Sequence, residues 1–257
     1  MPSALSSYDH FAMAFVAFVG TFLASAVVLW LAERSKFHAI SVSFRGITPP
    51  FLNVVGVLFA LNLAFLANDT WSAHDRARDA VFQEAGALRS LTVEARQLPP
   101  ALRLPMLEAI QHYATQAAGK EWVSLANRSG NAQAGADLDV LQGLVVSPEV
   151  AASLGGPVQG QMLQQMTQIR ASHDLRIALS QTHVNPLKWL GMAFLGFLTV
   201  VSIVMVHVEN ARAAFMAVLI FAAASAPSAA LVLVQGNPFQ EPLGVSAAPL
   251  LGLLDGR

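Results

Sequence analysis

Four long stretches of this chain carry no charged side chain, and this limits the possible folds more than any other feature. Residues 11–32 run for 22 positions without Asp, Glu, Lys or Arg. As a helix they reach roughly 33 Å, enough to cross a hydrocarbon core of about 30 Å. No Lys or Arg precedes them, and the run is longer than the apolar core of a cleaved leader, so they predict a spanning helix. Residues 46–68, 189–208 and 213–234 are equally free of charge. Pro49 and Pro50 stand at the start of the second run, where a missing N–H costs little. Asn185-Pro186 breaks the chain before the third, and only residues 207–212 separate the third from the fourth. That spacing predicts a tight antiparallel hairpin. Pro227 predicts a kink in the fourth run, with Ser225 and Ser228 beside it to satisfy freed carbonyls.

The charges gather between the second and third runs. Of the chain's 31 Asp, Glu, Lys and Arg residues, 20 lie within 68–185. Overall only 12% of the chain is charged, about half the roughly 25% of a soluble domain. The layout predicts an all-α fold of four transmembrane helices with a helical extramembrane insert between helices 2 and 3. Its parts are helices 1 and 2 over 1–67, the insert over 68–185, a helical hairpin over 186–234 and a Pro-rich apolar C-terminal segment over 235–257. A net charge of -1 and the absence of cysteine exclude a polycationic nucleic-acid binder, a disulfide-stapled module and thiolate chemistry.

Orientation follows from the basic residues. Arg34, Lys36 and Arg45 mark the first loop, and no Lys or Arg precedes the first run. The positive-inside rule then places that loop in the cytoplasm. Both termini and the insert fall on the periplasmic or extracellular side of the plasma membrane. Arg76, Arg78, Arg170, Arg176 and Lys188 crowd the insert side and pull the other way, but long inserts count for less in that rule.

Inside the insert, residues 69–98 continue the second run with no Pro and one Gly, Gly86. Val81, Ala85 or Glu84, Leu88, Thr92, Ala95 and Leu98 recur every three or four residues, which predicts one long helix leaving the membrane. Pro99-Pro100 stops it. A second helix is predicted over 101–127, with Leu102, Met106, Ile110, Tyr113, Ala117 and Val123 on its apolar side. Residues 129–136 (SGNAQAGA) predict a loop, 137–146 a short helix, and Ser147-Pro148-Glu149 an N-cap with Pro at the first helical position. A last helix is predicted over 158–183, after Gly155-Gly156-Pro157. No run alternates as a strand would.

Catalytic chemistry finds no support. Glu108 and His112 share a helix face at i, i+4, but no second such pair completes a metal site, so they predict a surface pair. His173 and Asp174 are adjacent, point apart and predict surface positions. Glu84 and Glu94 are too far apart on one helix to form a carboxylate dyad. No nucleophile elbow, phosphate loop or dinucleotide fingerprint is present, and no cofactor or metal is implied. Near Trp71, an interfacial anchor, Asp75, Arg76, Arg78 and Asp79 offer i, i+3 and i, i+4 pairs.

Small and amide residues give the remaining candidates. Asn53, Gly56, Ala60, Ala64 and Ala67 form one helical stripe in the second run, and Asn62 lies elsewhere on the same helix. Ala17, Gly20 and Ala24 form a like stripe in the first. Such stripes serve close helix packing, or, because Asn53 is polar, they line a pore. Asn53, Gly56, Ala60, Asn62 and Ala64 are the pore-lining candidates.

Three pieces resemble a family of bacterial integral membrane proteins named for a bestrophin-like domain. The first is Trp71, Asp75, Ala77, Val81, Glu84, Ala85 and Leu88, in the family's spacing. The second is Val208-Glu209-Asn210 in the hairpin. The third is Pro238-Phe239 followed by Val245-Ser246 and Pro249-Leu250; the family's Gly two residues after the Phe is Glu241 here. The resemblance covers nearly the whole chain. It implies a distant likeness to bestrophins, oligomeric anion channels, and hence partners in the lipid bilayer, other copies of the chain and small inorganic ions. Two functions stand open: a homo-oligomeric channel, and a non-conducting sensor or scaffold acting through the helical insert.

Overall fold

The structure is a computed structural model and describes residues 15, 19–30, 48–129, 132–181, 186–234, 236–241 and 243–254. Every regular element among them is helical. In chain order these are α1 (Val19–Trp30), α2 (Thr48–Ala95) and α3 (Pro100–Gln116), then a π-helical turn (Ala117–Glu121). There follow α4 (Trp122–Ala126), α5 (Ala132–Val146), α6 (Pro148–Leu154), α7 (Gly156–Gln181), α8 (Pro186–Val206), α9 (Ala211–Val234) and α10 (Ala248–Leu251). The chain forms two compact units. One holds residues 1–71 and 183–236, the other 72–182 and 237–257.

Among the described residues, three helices are long and apolar enough to cross a membrane: Pro49–Ala95, which runs from the first unit into the second, Leu187–Val206 and Ala211–Val232. Helix α1 is the described part of the first apolar run. The rest of that run, apart from Phe15, lies outside the described residues, as do Ala17, the basic loop with Arg34, Lys36 and Arg45, and the break at Asn185. Val200, Ile203, Val204 and Val218 form a buried cluster joined by Val28, Leu29, Leu52 and Phe221. Gly196 lets α8 approach α2, since a methyl group there would stand 3.2 Å from the Phe59 ring. Asn210 explains the tight α8–α9 turn: its Oδ1 accepts the Ala213 N–H at 3.1 Å and caps α9. Helix α9 runs on through Pro227. Ser225 and Ser228 donate to the Phe221 and Ala224 carbonyls, not to that of Ala223, the carbonyl four residues before Pro227 that loses its N–H partner.

In the second unit, α2 continues past Trp71 without a break, as the unbroken run predicts, but it ends at Ala95, and residues 96–98 turn ahead of Pro99 and Pro100, which open α3. The core takes Val81, Leu88 and Leu91 from α2, Met106 and Ile110 from α3, Leu138 and Leu141 from α5, and Met162 and Ile169 from α7.

Three expectations need correction. The helix predicted over 101–127 is interrupted by the π turn, and Val123 is exposed while Leu125 is buried. The loop predicted over 129–136 is shorter, because α5 begins at Ala132. Ala134 is fully buried there, and Gln133 Nε2 donates to Asp137 Oδ1 at 3.2 Å. Ser147 and Pro148 take the predicted cap and first helical positions, but the Ser147 hydroxyl makes no capping bond. Its carbonyl instead accepts from Gln159 Nε2 at 3.1 Å. Between α6 and α7 the backbone passes through Gly155 at φ 84°, a conformation that suits glycine.

The C-terminal segment belongs to the second unit. Asn237 Nδ2 donates to the Leu125 and Ala126 carbonyls at 3.0 and 3.1 Å, so it satisfies the orphan end of α4. Phe239 packs edge-on to Trp122 with centroids 5.3 Å apart, and Leu250 is fully buried. Gly244 permits the turn that returns the Val245 N–H to the Pro238 carbonyl at 2.8 Å, since a methyl group at Gly244 would meet the Gln240 backbone at 2.9 Å.

Candidate functional site

Two places carry polar groups where apolar ones are the norm. The first is α2 within the first unit. Asn53, Ala60 and Ala64 are exposed and Gly56 half-buried, so the predicted stripe lies on a face the chain leaves uncovered. Asn62 stands nine positions from Asn53, about 180° round the helix at roughly 100° per residue. It is half-buried against α8, its Nδ2 3.5 Å from where a Gly191 Cβ would stand. Ala60, Ala64 and Ala67 also border an open groove of about 540 Å³ toward Phe221, Pro227 and Leu231 of α9. Asp69 pairs with Lys188 on the rim of the same unit, and Trp71 is half-exposed.

The second place is a closed cluster of ionisable side chains in the middle of the second unit. Glu84 comes from α2, Tyr113 from α3, Glu121 from the π turn, and His173 and Arg176 from α7. All five are buried, and Glu84 and Arg176 have no exposed surface at all. Arg176 Nε donates to Glu84 Oε2 at 2.5 Å and its Nη2 to Glu84 Oε1 at 2.9 Å, a bidentate pairing. The same Nη2 reaches Glu121 Oε2 at 3.1 Å. The Tyr113 hydroxyl donates to Glu84 Oε1 at 2.5 Å, and His173 Nε2 lies 2.7 Å from Glu121 Oε1. The guanidinium also sits 5.7 Å from the Trp122 ring centre, and its Nη1 is buried without a hydrogen-bond partner.

These groups set each other's ionisation. Burial works against the charge on Arg176, but the Glu84 and Glu121 carboxylates outweigh it, so the guanidinium stays charged. Burial and the neighbouring Glu84 carboxylate push the Tyr113 phenol well above its ordinary range, so it remains a donor. Burial draws the His173 imidazole down, but its hydrogen bond to Glu121 and that carboxylate's charge draw it up by more.

Of the residues in the quoted spacing, Glu84 lies in this cluster and accepts from both Tyr113 and Arg176. Asp75 is exposed; beside it Arg76 donates to the Ser72 carbonyl and Arg78 stacks on Phe82 at 5.8 Å. Pro238 and Phe239 are buried, Glu209 and Ser246 exposed, and Ser246 Oγ accepts the Ala248 N–H. The surface reading of His173 is corrected: it is 4% exposed, while Asp174 remains outside. His112 is exposed as predicted, but its neighbour is Asp137 of α5, with Nδ1 3.1 Å from Oδ2. Among the described residues no three His, Asp or Glu side chains gather as a metal site.

The sequence does not single out Glu121 and marks Arg176 only as one of the basic residues of the insert side, whereas Arg176 is fully buried; yet a signal for both exists. Met106, Ile110, Tyr113, Ala117 and Leu125 mark a buried stripe that passes through Glu121. Met162, Met166, Ile169 and Leu179 mark another that passes through His173 and Arg176. An acid on one core stripe and a base on another require each other.

A family profile described as the Bestrophin-like domain matches residues 19–250. No curated protein sequence matches. Among solved structures, a variant of a bacterial bestrophin homologue from Klebsiella pneumoniae is similar at 15% identity over 95% of this chain and 94% of that one, with a TM-score of 0.65. A second variant of that homologue matches at 14% identity over 95% and 99%, with a TM-score of 0.66. A structure described as a membrane protein variant matches at 16% identity over 95% and 99%, also at 0.66.

Proposed function

The chain belongs to the bestrophin-like family, and from that premise we propose that it is a homo-oligomeric membrane channel for small inorganic ions, anions first among them. The observation that carries this reading is how little of α2 the chain itself covers. In its most apolar stretch 11% of residues are buried, against 33% in α8 and in α9. The uncovered face holds Asn53, and an amide in hydrocarbon is costly unless it meets water or a partner. Copies of α2 gathered about a symmetry axis meet that need, with Gly56, Ala60 and Ala64 allowing close approach. Asn62, turned to α8, then serves as the interhelical hydrogen-bonding member of the candidate set.

The topology proposed with it has four spans, α1 completing the set, with both termini and the 68–185 insert on the periplasmic or extracellular side. Reporter fusions at Gly130 and Arg257 then report one side of the plasma membrane.

Reconstitution in liposomes tests the function. The purified protein runs as an oligomer in detergent and passes chloride or a substitute ion. Asn53→Leu changes conductance or selectivity with the oligomer intact. A wild-type protein that passes no ion ends the channel reading and leaves the sensor or scaffold, whose working part is the ion cluster of the insert.

A further inference from the structure

The His173 ring has an arrangement that the rest of the cluster does not explain. Nε2 lies 2.7 Å from Glu121 Oε1, and Nδ1 lies 3.4 Å from Asp174 Oδ1. Both ring nitrogens thus face carboxylate oxygens. A neutral imidazole has one N–H donor and one lone pair, so one of these contacts would set acceptor against acceptor; imidazolium donates at both. Charge points the same way. Glu84 and Glu121 bring two negative charges into a space that holds one guanidinium, all three fully or almost fully buried. One more positive charge brings the buried sum to zero, and His173 is the side chain in contact that can carry it.

We propose that His173 is a proton-binding site through which the helical insert senses pH, holding α7 against the π turn when protonated and loosening that contact when the proton leaves. The inference goes beyond the channel reading and stands whether or not the chain conducts.

The groups that face the ring come from each neighbouring element. The π turn supplies Glu121. Helix α2 supplies Glu84 through Arg176, and α3 supplies Tyr113, its ring centre 6.2 Å from that of His173. Helix α7 itself supplies Asp174 and Arg176. Of the acids of α5, Asp139 is paired with Arg170 at 2.7 Å and Asp137 lies beside His112. With the net balance acidic, the proton is held more firmly in the folded insert than in the unfolded chain.

The sign follows from that. A group whose folded pKa lies above its unfolded value of about 6.5 contributes its full stabilisation below that pH. The contribution is lost as pH rises through the folded pKa. Over that window the ratio of folded to unfolded insert falls by up to about tenfold per pH unit, the limit for release of one proton.

Thermal unfolding of the full chain in detergent, followed by circular dichroism from pH 5.5 to 9, reads the effect. In the wild type the midpoint falls as pH rises above about 6.5. In His173→Gln, which still donates to Glu121, that fall is reduced by the one-proton share. Glu121→Gln removes the excess negative charge and flattens the slope as well, and it answers the question where His173→Gln does not fold. A slope that His173→Gln and Glu121→Gln leave unchanged, or a wild-type midpoint constant across the range, overturns the proposal.

Discussion

Helix α2 carries large apolar side chains along its whole length, but it leaves many of them open in its first half and encloses them in its second. Between Thr48 and Trp71, the side chains of Val54, Val57, Leu61 and Phe65 are 49–65% exposed. Between Ser72 and Ala95, those of Val81, Leu88 and Leu91 show no surface. In the first stretch lipid or a second copy of the chain is as good a neighbour as the chain's own apolar groups, so nothing drives those residues inward. In the second stretch, on the proposed topology, water surrounds the unit and burial is worth roughly 1.5–3 kcal/mol per large side chain. Polar groups divide by the same rule. Asn53 is left uncovered by its own unit, whereas Glu84 is enclosed and fully provided with partners. Hydropathy along a helix therefore sets what the surroundings must be, and not which side chains are inside.

The sharpest test of that contrast is the cluster. Arg176→Met leaves Glu84 and Glu121 buried without a counter-charge and costs about 3–5 kcal/mol. Chemical unfolding of the full chain in detergent, followed at the indole fluorescence of Trp122, reads this loss. A cost below about 1 kcal/mol would mean that water reaches the site.

Paired truncations on α2 come next. Leu88→Ala opens a cavity in the insert and costs about 2–5 kcal/mol, whereas Leu61→Ala changes stability by about 0.5 kcal/mol or less. Equal costs would break the comparison. A shift in oligomer mass with Leu61→Ala alone would sharpen it, by showing that a second copy covers that face. Smallest is Asn210→Ala, which removes the cap of α9 and costs about 1 kcal/mol, read as a lowered unfolding midpoint of the apolar helices.

The sequence made much of this architecture legible because its boundaries are local. Pro99-Pro100 opens α3, Pro148 opens α6, and the apolar runs mark α8 and α9. Uncharged length and helical spacing need no knowledge of distant residues. The cluster is a different matter. Glu84 and Arg176 are 92 positions apart, and Glu121 and Arg176 are 55 apart. Periodicity places each on a core stripe but does not say which stripes face one another. His173 escapes a sequence reading for the same reason: adjacency to Asp174 does not show that Glu121, 52 positions away, closes over the other side of the ring. The π turn is the other hidden element. Ala117, Ala118 and Gly119 are compatible with an ordinary helix, and only the packed structure shows the wider turn that precedes the exposed Val123.

The seating of the C-terminal segment bears on how the chain is made. Phe239 and Leu250 are buried among residues of the insert, and Asn237 closes the end of α4. These residues leave the ribosome after α8 and α9. Leu250 follows the last residue of α7 by roughly 70 positions, a wait of about 3–14 seconds at 5–20 residues per second. The insert is translated before the hairpin yet lacks part of its core until the hairpin has been made. During biosynthesis it must wait half-finished, with the Trp122 face open, a period in which a chaperone that shields apolar surface has a site to hold.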